Sequence, residues 1–339
     1  MSLLEVKELH TYFRTKRGTV KAVNGVSYSV EEGKTLGIVG ESGSGKSVSA
    51  MSILRLISSN GYIDSGSIQF QGVELTKCKD RQMNKIRGNQ ISVIFQEPMT
   101  SLNPVFTIEQ QIMEPFMIHQ GCSRVLAREK AVEMLRQVRI PNPETVAKEY
   151  THQLSGGMRQ RVMIAMALAC QPSVLIADEP TTALDVTIQA QILKLMNELK
   201  QHTKTAILFI THDLGVIHEM ADEVVVLYCG QVVESAKVES LFGKDKYQHP
   251  YTQGLFISIP RLDTPTNRPL EAIPGSVPHP LQLPKGCKFA PRCKYATSLC
   301  NEKEPELMEV VEGHWVRCFY PEREQRSIRW GKGENYEFG

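Results

Sequence analysis

The sequence predicts an α/β fold built around a phosphate-cradling loop, and three observations carry that prediction. The short apolar run Thr35-Leu36-Gly37-Ile38-Val39 leads into Gly40-Glu41-Ser42-Gly43-Ser44-Gly45-Lys46-Ser47, and residues 48–57 then read as a helix. Strand, glycine-rich loop, Lys-Ser and helix is the order of a P-loop. A second apolar run, 174–177, ends in Asp178-Glu179, and a third, 206–210, runs into Thr211-His212-Asp213. Open α/β sheets place ligands at such carboxyl ends of strands.

Taken in order, residues 3–13 read as the opening strand and 20–30 as one or two more, with Asn24-Gly25 as a turn signal. Tyr12 and Phe13 read as ordinary strand aromatics, an adenine-stacking role being the alternative. In the loop, glycines let backbone N–H groups curl around an anion. The helix N-terminus adds partial positive charge. Lys46 is placed to reach terminal phosphates, and the Ser47 hydroxyl to ligate Mg²⁺. Residues 66–72 look like a short edge strand, 80–87 a polar helix, and 91–95 a strand ending at Gln96. Stretches 107–119 and 124–139 show helical spacing through Ile108, Ile112 and Phe116, then Val125, Ala131, Leu135 and Val138. Residues 97–139 are therefore expected as a helical insertion between two core strands. Leu154-Ser155-Gly156-Gly157 opens another helix over 158–170, with Ser155 as its N-cap. Asp178 reads as a Mg²⁺-handling aspartate, Glu179 as a general base and His212 as a γ-phosphate contact. Residues 185–202 form a helix with Ile188, Ile192, Leu195, Met196 and Leu199 on one face. A hairpin over 223–228 and 231–234, turning at Cys229-Gly230, finishes the sheet.

The chain has 339 residues, enough for one large domain and an appendage. Its 39 Lys+Arg against 37 Asp+Glu give no basic excess of the kind nucleic-acid proteins show. No apolar run approaches the roughly 20 residues of a membrane-spanning helix. Residues 1–8 carry no signal-peptide pattern, so a soluble chain is expected. Nine of the 18 prolines fall between Pro250 and Pro291, which puts a domain boundary near residue 255 and an irregular appendage without an apolar core beyond it. From about residue 322 the tail is charged and aperiodic. Cys78, Cys122, Cys170 and Cys229 read as buried hydrophobes. Cys287, Cys293, Cys300 and Cys318 lack the C-x₂-C spacing of zinc ribbons. Four thiols in a segment poor in apolar surface still point to a metal centre, and their spacing leaves zinc and iron–sulfur open.

GESGSGKS at 40–47, Gln96, LSGGM at 154–158, VLIADE at 174–179, ALD at 183–185 and His212 form a set that resembles the nucleotide-binding subunit of an ABC transporter over residues 3–255. The resemblance implies a P-loop ABC ATPase core, a mixed RecA-like sheet with a helical subdomain over 97–170. It implies ATP contacts from Phe13 on adenine and from Gly40, Ser42, Gly43, Ser44, Gly45, Lys46, Ser47 and Gln96. Mg²⁺ would be held through Ser47, Gln96 and Asp178, with Glu179 as base, His212 as switch and Asp185 in the D-loop. Ser155, Gly156 and Gly157 would complete the ATP site of a partner chain. Met158 departs from the Gln or Glu of many members, at the rim of that stretch.

VIFQEPMTSLNP at 93–104, GGMRQRVMIAMALAC at 156–170, LIADEPTTALDVTIQAQI at 175–192, HPYTQGL at 249–255, IPG at 273–275 and LPKGCKFAPRC at 283–293 resemble the ATPase subunits of oligopeptide and dipeptide permeases. Nickel permeases of the same group are similar. The resemblance implies ATP-driven peptide import at the cytoplasmic face of a membrane. The implied partners are a second ATPase subunit (a paralogue, or this chain again), two transmembrane permease subunits and an extracytoplasmic peptide-binding protein. Some such subunits hold a [4Fe–4S] cluster in this C-terminal motif, and all four late cysteines match it, which places the cluster ahead of Zn²⁺. The domains expected are 1–255, 256–321 and a tail over 322–339. The rival readings are nickel or other small-solute import, a soluble ABC-type ATPase acting on nucleic acid, and a redox sensor with a vestigial P-loop.

Overall fold

The computed structural model describes residues 2–97, 101–182, 184–243, 246–258 and 272–322. Its strands are β1 (Leu4–Thr15), β2 (Gly18–Val30), β3 (Thr35–Val39), β4 (Gly61–Phe70), β5 (Val73–Glu74), β6 (Ile91–Ile94), β7 (Val174–Asp178), β8 (Ala206–Thr211), β9 (Glu223–Tyr228), β10 (Gln231–Lys237), β11 (Met308–Val311) and β12 (His314–Val316). Its helices are α1 (Lys46–Ile53), α2 (Asp80–Ile86), α3 (Ile108–Gln120), α4 (Arg124–Gln137), α5 (Pro143–Val146), α6 (Gly156–Leu168), α7 (Val186–Thr203), α8 (Leu214–Met220), α9 (Val238–Phe242), α10 (Pro250–Ile257) and α11 (Ser298–Glu302). None of the described helices is long and apolar enough to cross a membrane. The chain divides into two compact units. One holds Met1–Leu4, Ser29–Thr35 and Gln69–Ile210; the other holds Glu5–Tyr28, Leu36–Ile68 and the chain from Thr211 on.

In the first unit β6, β7 and β8 run parallel, with Ile94 opposite Ala177 and Asp178 opposite Ile210. Every residue of β7 and β8 is buried. Strands covered on both faces read as continuous apolar runs without alternation, which is why they stood out in the sequence. The described residues between β6 and β7 carry the helices α3 to α6. Thr107 and Gln110 form a capping box at the start of α3, and Gly121 ends it at φ 64°. Helix α4 starts at Ser123, whose Oγ accepts from Leu126 N. Its buried face is Ala127, Ala131, Met134 and Leu135. Val125, expected on that face, is 71% exposed. It sits six residues before Ala131, a spacing that lands about 120° away round a 3.6-residue helix and off the buried face.

In the second unit β3 pairs with β9 in parallel, and β9 with β10 in antiparallel fashion. Cys229 and Gly230 turn that hairpin at φ 47° and 79°, the doubly positive geometry of a tight hairpin. The hairpin does not finish the sheet. A bulge between Val232 and Glu234 kinks β10, and β12 pairs alongside it, with Glu234 opposite Val316. The expected turn at Asn24-Gly25 lies inside one continuous strand, β2. Gly25 kinks it at φ 74°, and Asn24 N is tied to Gly230 O at 2.8 Å. The stretch 66–72 was expected at an edge; β4 instead has neighbours on both sides, β1 and the two-residue β5. Helix α1 stops short of residue 57 because Arg55 turns left-handed at φ 54°.

Among the described residues from Pro250 on, the α-helices are short, eight residues in α10 and five in α11. The proline-rich stretch does bury apolar surface, contrary to expectation. Phe289 is 4% exposed, with ring centroids 5.3 Å from Tyr228 and 5.4 Å from Tyr251. Proline content revealed the lack of long elements but could not show that one phenylalanine serves as anchor. A second anchor is Glu234, which is fully buried. Its Oε2 accepts from His249 N at 2.9 Å, and its Oε1 pairs with His314 Nε2 at 2.9 Å.

Candidate active site

In the second unit, β3 delivers the chain into the loop at Gly40. Gly40 has φ 154°, and a Cβ there would stand 2.2 Å from Leu227 O. Gly45 has φ 99°, and a Cβ would lie 2.4 Å from Ala22 O. Glycine is therefore required at both by space and by backbone conformation. Gly43 is also left-handed but faces open space. The loop closes over Lys46, which is 5% exposed. Its ammonium donates to Gly40 O at 2.7 Å and Glu41 O at 3.1 Å. Helix α1 begins at Lys46 with no side-chain cap, so its first N–H groups and its dipole serve the loop. Ser44 Oγ is buried with no hydrogen-bond partner among the described residues. Ser42 is exposed and Ser47 half-buried. Phe13 ends up in the same unit, its ring packed on Gly61, where a Cβ would meet Phe13 Cε1 at 2.7 Å.

In the first unit, Gln96 follows β6 and Glu179 follows β7, and the parallel register brings their side chains together. Gln96 Nε2 donates to Glu179 Oε2 at 3.1 Å, and Thr182 Oγ1 donates to the same oxygen at 3.0 Å. Glu179 takes φ 47°, a conformation uncommon for a side chain of its kind and frequent at functional sites. Its N–H donates to Ile210 O at 2.9 Å, which holds that turn in place. Asp178, the last residue of β7, is 6% exposed.

Ser155 caps α6, its Oγ accepting from Met158 N at 3.3 Å. Ser155 and Gly156 are exposed. A Cβ on Gly156 would meet nothing within 4 Å, whereas one on Gly157 would lie 2.9 Å from Ile188 Cγ2. Asp185 caps α7 through Ile188 N at 2.9 Å, beside Val186, which is 83% exposed. Ala183 lies outside the described residues. In the second unit His212 follows β8, exposed, ahead of Asp213, whose Oδ1 accepts from Gly215 N at 2.8 Å.

The four late cysteines come together around one cavity of about 20 Å³, also lined by His249, Phe289 and Tyr295. All four are free thiols. Burial pushes the Cys293 thiol up to about 12 and that of Cys287 upward too. Among the described residues no three His, Cys, Asp or Glu side chains converge closely enough to hold a single metal ion.

One pair in this unit went unseen in the sequence. Glu41, second in the loop, is held by Arg292 through NH1–Oε2 at 2.5 Å and NH2–Oε1 at 3.0 Å. An acid inside an anion-binding loop is the signal that could have prompted a search for its counter-charge.

Residues 23–182 match the family described as ABC transporter, and 233–300 match the oligopeptide/dipeptide transporter C-terminal region. The chain is 54% identical to the oligopeptide transport ATP-binding protein AppD of Bacillus subtilis, over 95% of this chain and 98% of that protein. It is 50% identical to the oligopeptide transport ATP-binding protein OppD of Salmonella typhimurium, covering 95% of each. With the dipeptide transport ATP-binding protein DppD of Escherichia coli the identity is 46%, over 95% and 97%. Among solved structures, it resembles the ATP-binding cassette MJ0796 in a dimeric post-hydrolysis state bound to ADP and Pi. That match has a TM-score of 0.63 and 28% identity, and covers 69% of this chain and 98% of that one.

Proposed function

The chain belongs to the ABC transporter family, among the ATP-binding proteins of oligopeptide and dipeptide transport, and we propose that it hydrolyses ATP to drive peptide import through partner membrane subunits. The observation that carries the ATPase reading is the loop. Its buried lysine donates to two carbonyls of the loop itself, beside a Ser44 hydroxyl without a hydrogen-bond partner among the described residues and a helix start with no side-chain cap. An incoming phosphate replaces those carbonyls with a charged partner at Lys46. The match of residues 233–300 and the names of the relatives support peptide as the cargo.

The site residues divide the work as follows. Lys46 and the loop amides balance phosphate charge, and Phe13 takes the adenine. Ser47, Gln96 and Asp178 offer hydroxyl, amide and carboxylate oxygens, a donor set suited to Mg²⁺, which neutralises β- and γ-phosphate charge when bound. Glu179 takes a proton from water as the water oxygen bonds to the γ-phosphorus. The bond from phosphorus to the β–γ bridging oxygen breaks, and ADP and phosphate leave. Gln96 and Thr182 aim the Glu179 carboxylate before water arrives. His212 steadies the water. Exposed Ser155 and Gly156, with half-buried Gly157 and with Asp185, complete the site of a second ATPase subunit, a paralogue or a second copy. Exposed Phe95, Val105 and Phe106 suit contact with membrane subunits. A peptide-binding protein outside the membrane delivers cargo, and this chain sits peripherally on the inner face. We divide it into an ATPase domain over 1–255, with 97–170 as its helical part, and an extension over 256–321 whose four cysteines hold a [4Fe–4S] cluster, Zn²⁺ being second choice.

Reconstitution with the neighbouring permease subunits tests this reading. ATPase activity stimulated by peptides, in a length-dependent way, is the expected result. Stimulation by nickel salts or other small solutes but not by peptides overturns the cargo.

A further inference from the structure

The pair Glu41–Arg292 joins two segments 251 positions apart, and it is poorly placed to be a mere surface bridge. The Arg292 side chain is 5% exposed and that of Glu41 28%. The guanidinium is fixed on every side. Nε donates to Pro274 O at 3.0 Å, NH1 reaches Tyr228 Oη at 3.4 Å, and the group lies 5.9 Å and 6.0 Å from the centroids of Tyr228 and Phe289. A short turn, with Arg292 N on Phe289 O at 2.9 Å, sets its backbone. Glu41 is equally constrained. Its N–H donates to Tyr251 Oη at 2.8 Å, and its carbonyl takes Lys46 at 3.1 Å. A carboxylate at this point of the loop opposes the anion the loop is built to receive, since like charges at short range in a partly buried site repel strongly.

We propose that Arg292 is a positioning residue of the nucleotide loop, neutralising and fixing Glu41 so that the charge of Lys46 meets an incoming phosphate uncancelled by the neighbouring carboxylate. The inference rests on reading residues 40–47 as the nucleotide site. It gives the C-terminal extension a part in nucleotide affinity that is separate from any metal it holds. The bidentate geometry calls for arginine, because a lysine supplies the charge but not the fork.

The test titrates the full-length chain with MgADP and with MgATP, alongside R292A, R292K and R292A/E41Q. Thermal midpoint and metal content are followed for each protein. R292A should raise Kd about tenfold, equivalent to about 1.4 kcal/mol, and R292K by less. R292A/E41Q should return to within about threefold of the native value, because the offending charge is gone. A merely structural role predicts no such recovery. If R292A fails to fold, E41Q alone carries the test: the arginine then faces the loop as a net positive charge, and MgADP should bind more tightly. Native Kd in R292A, no recovery in R292A/E41Q, or weaker binding by E41Q overturns the inference. A native chain that binds neither nucleotide overturns the loop reading itself.

Discussion

The side-chain amide of Gln96 donates to Oε2 of Glu179 over 3.1 Å, so the residue after β6 aims the carboxylate after β7. A general base contributes about 10²–10⁴-fold in rate. Glu179→Gln should therefore lower ATP turnover of the assembled complex by at least about 100-fold and leave MgATP binding intact. Near-native turnover in a correctly assembled complex would sink the assignment.

Gly156 faces open space, which allows a side chain there without disturbing the chain that carries it. Gly156→Asp should leave the fold and single-chain MgADP affinity unchanged. It should abolish ATP-driven pairing of chains, because the new carboxylate meets a γ-phosphate across the interface. Light scattering in the Glu179→Gln background reads this directly, and persistent ATP-dependent dimers would refute the shared site.

The thiols of Cys287, Cys293, Cys300 and Cys318 ring one cavity. Anaerobically purified chain should carry about four irons and visible charge-transfer absorbance, and Cys293→Ser should lose most of both. Iron-free protein with one zinc per chain would replace the cluster with Zn²⁺. Protein with neither metal would remove the metal centre altogether.

Glu234 is the buried acceptor for both His249 N and His314 Nε2. Glu234→Ala strands both donors without solvent, and removing one member of a buried polar pair costs roughly 3 kcal/mol or more. Denaturant midpoints should fall accordingly. A shift under about 0.5 kcal/mol, within the range of ordinary surface substitutions, would show that the group is solvated after all.

Much of the fold was legible because burial leaves a mark on composition. β7 and β8 are fully covered, and their unbroken apolar runs announced them. Ser155 announced the helix it caps through a local hydrogen bond that needs no tertiary information. The loop over 40–47 was legible for a related reason, since Gly40 and Gly45 are demanded by backbone conformation and by neighbours at fixed distance. What escaped was pairing between segments distant in sequence. Nothing near Glu234 says that β12 will lie beside it, and nothing near Glu41 says that its counter-charge is Arg292. Asn24-Gly25 misled because the dipeptide that favours a hairpin turn also suits a kink within a continuous strand. Val125 misled because an apolar residue was credited to a face that its spacing does not reach.

The seating of β12 against β10 has a bearing on how the chain behaves at high concentration. β10 is a seven-residue strand whose other side is already taken by β9. Removing the residues beyond Ile257 would bare its row of unpaired N–H and C=O groups, with Val232 and Val233 alongside, as a template for strand addition between molecules. The extension closes that template with β12 and ends at β11, four residues long and carrying Glu309, the short charged border that resists further pairing. A truncated chain is thus expected to be an aggregating one, whatever becomes of its chemistry.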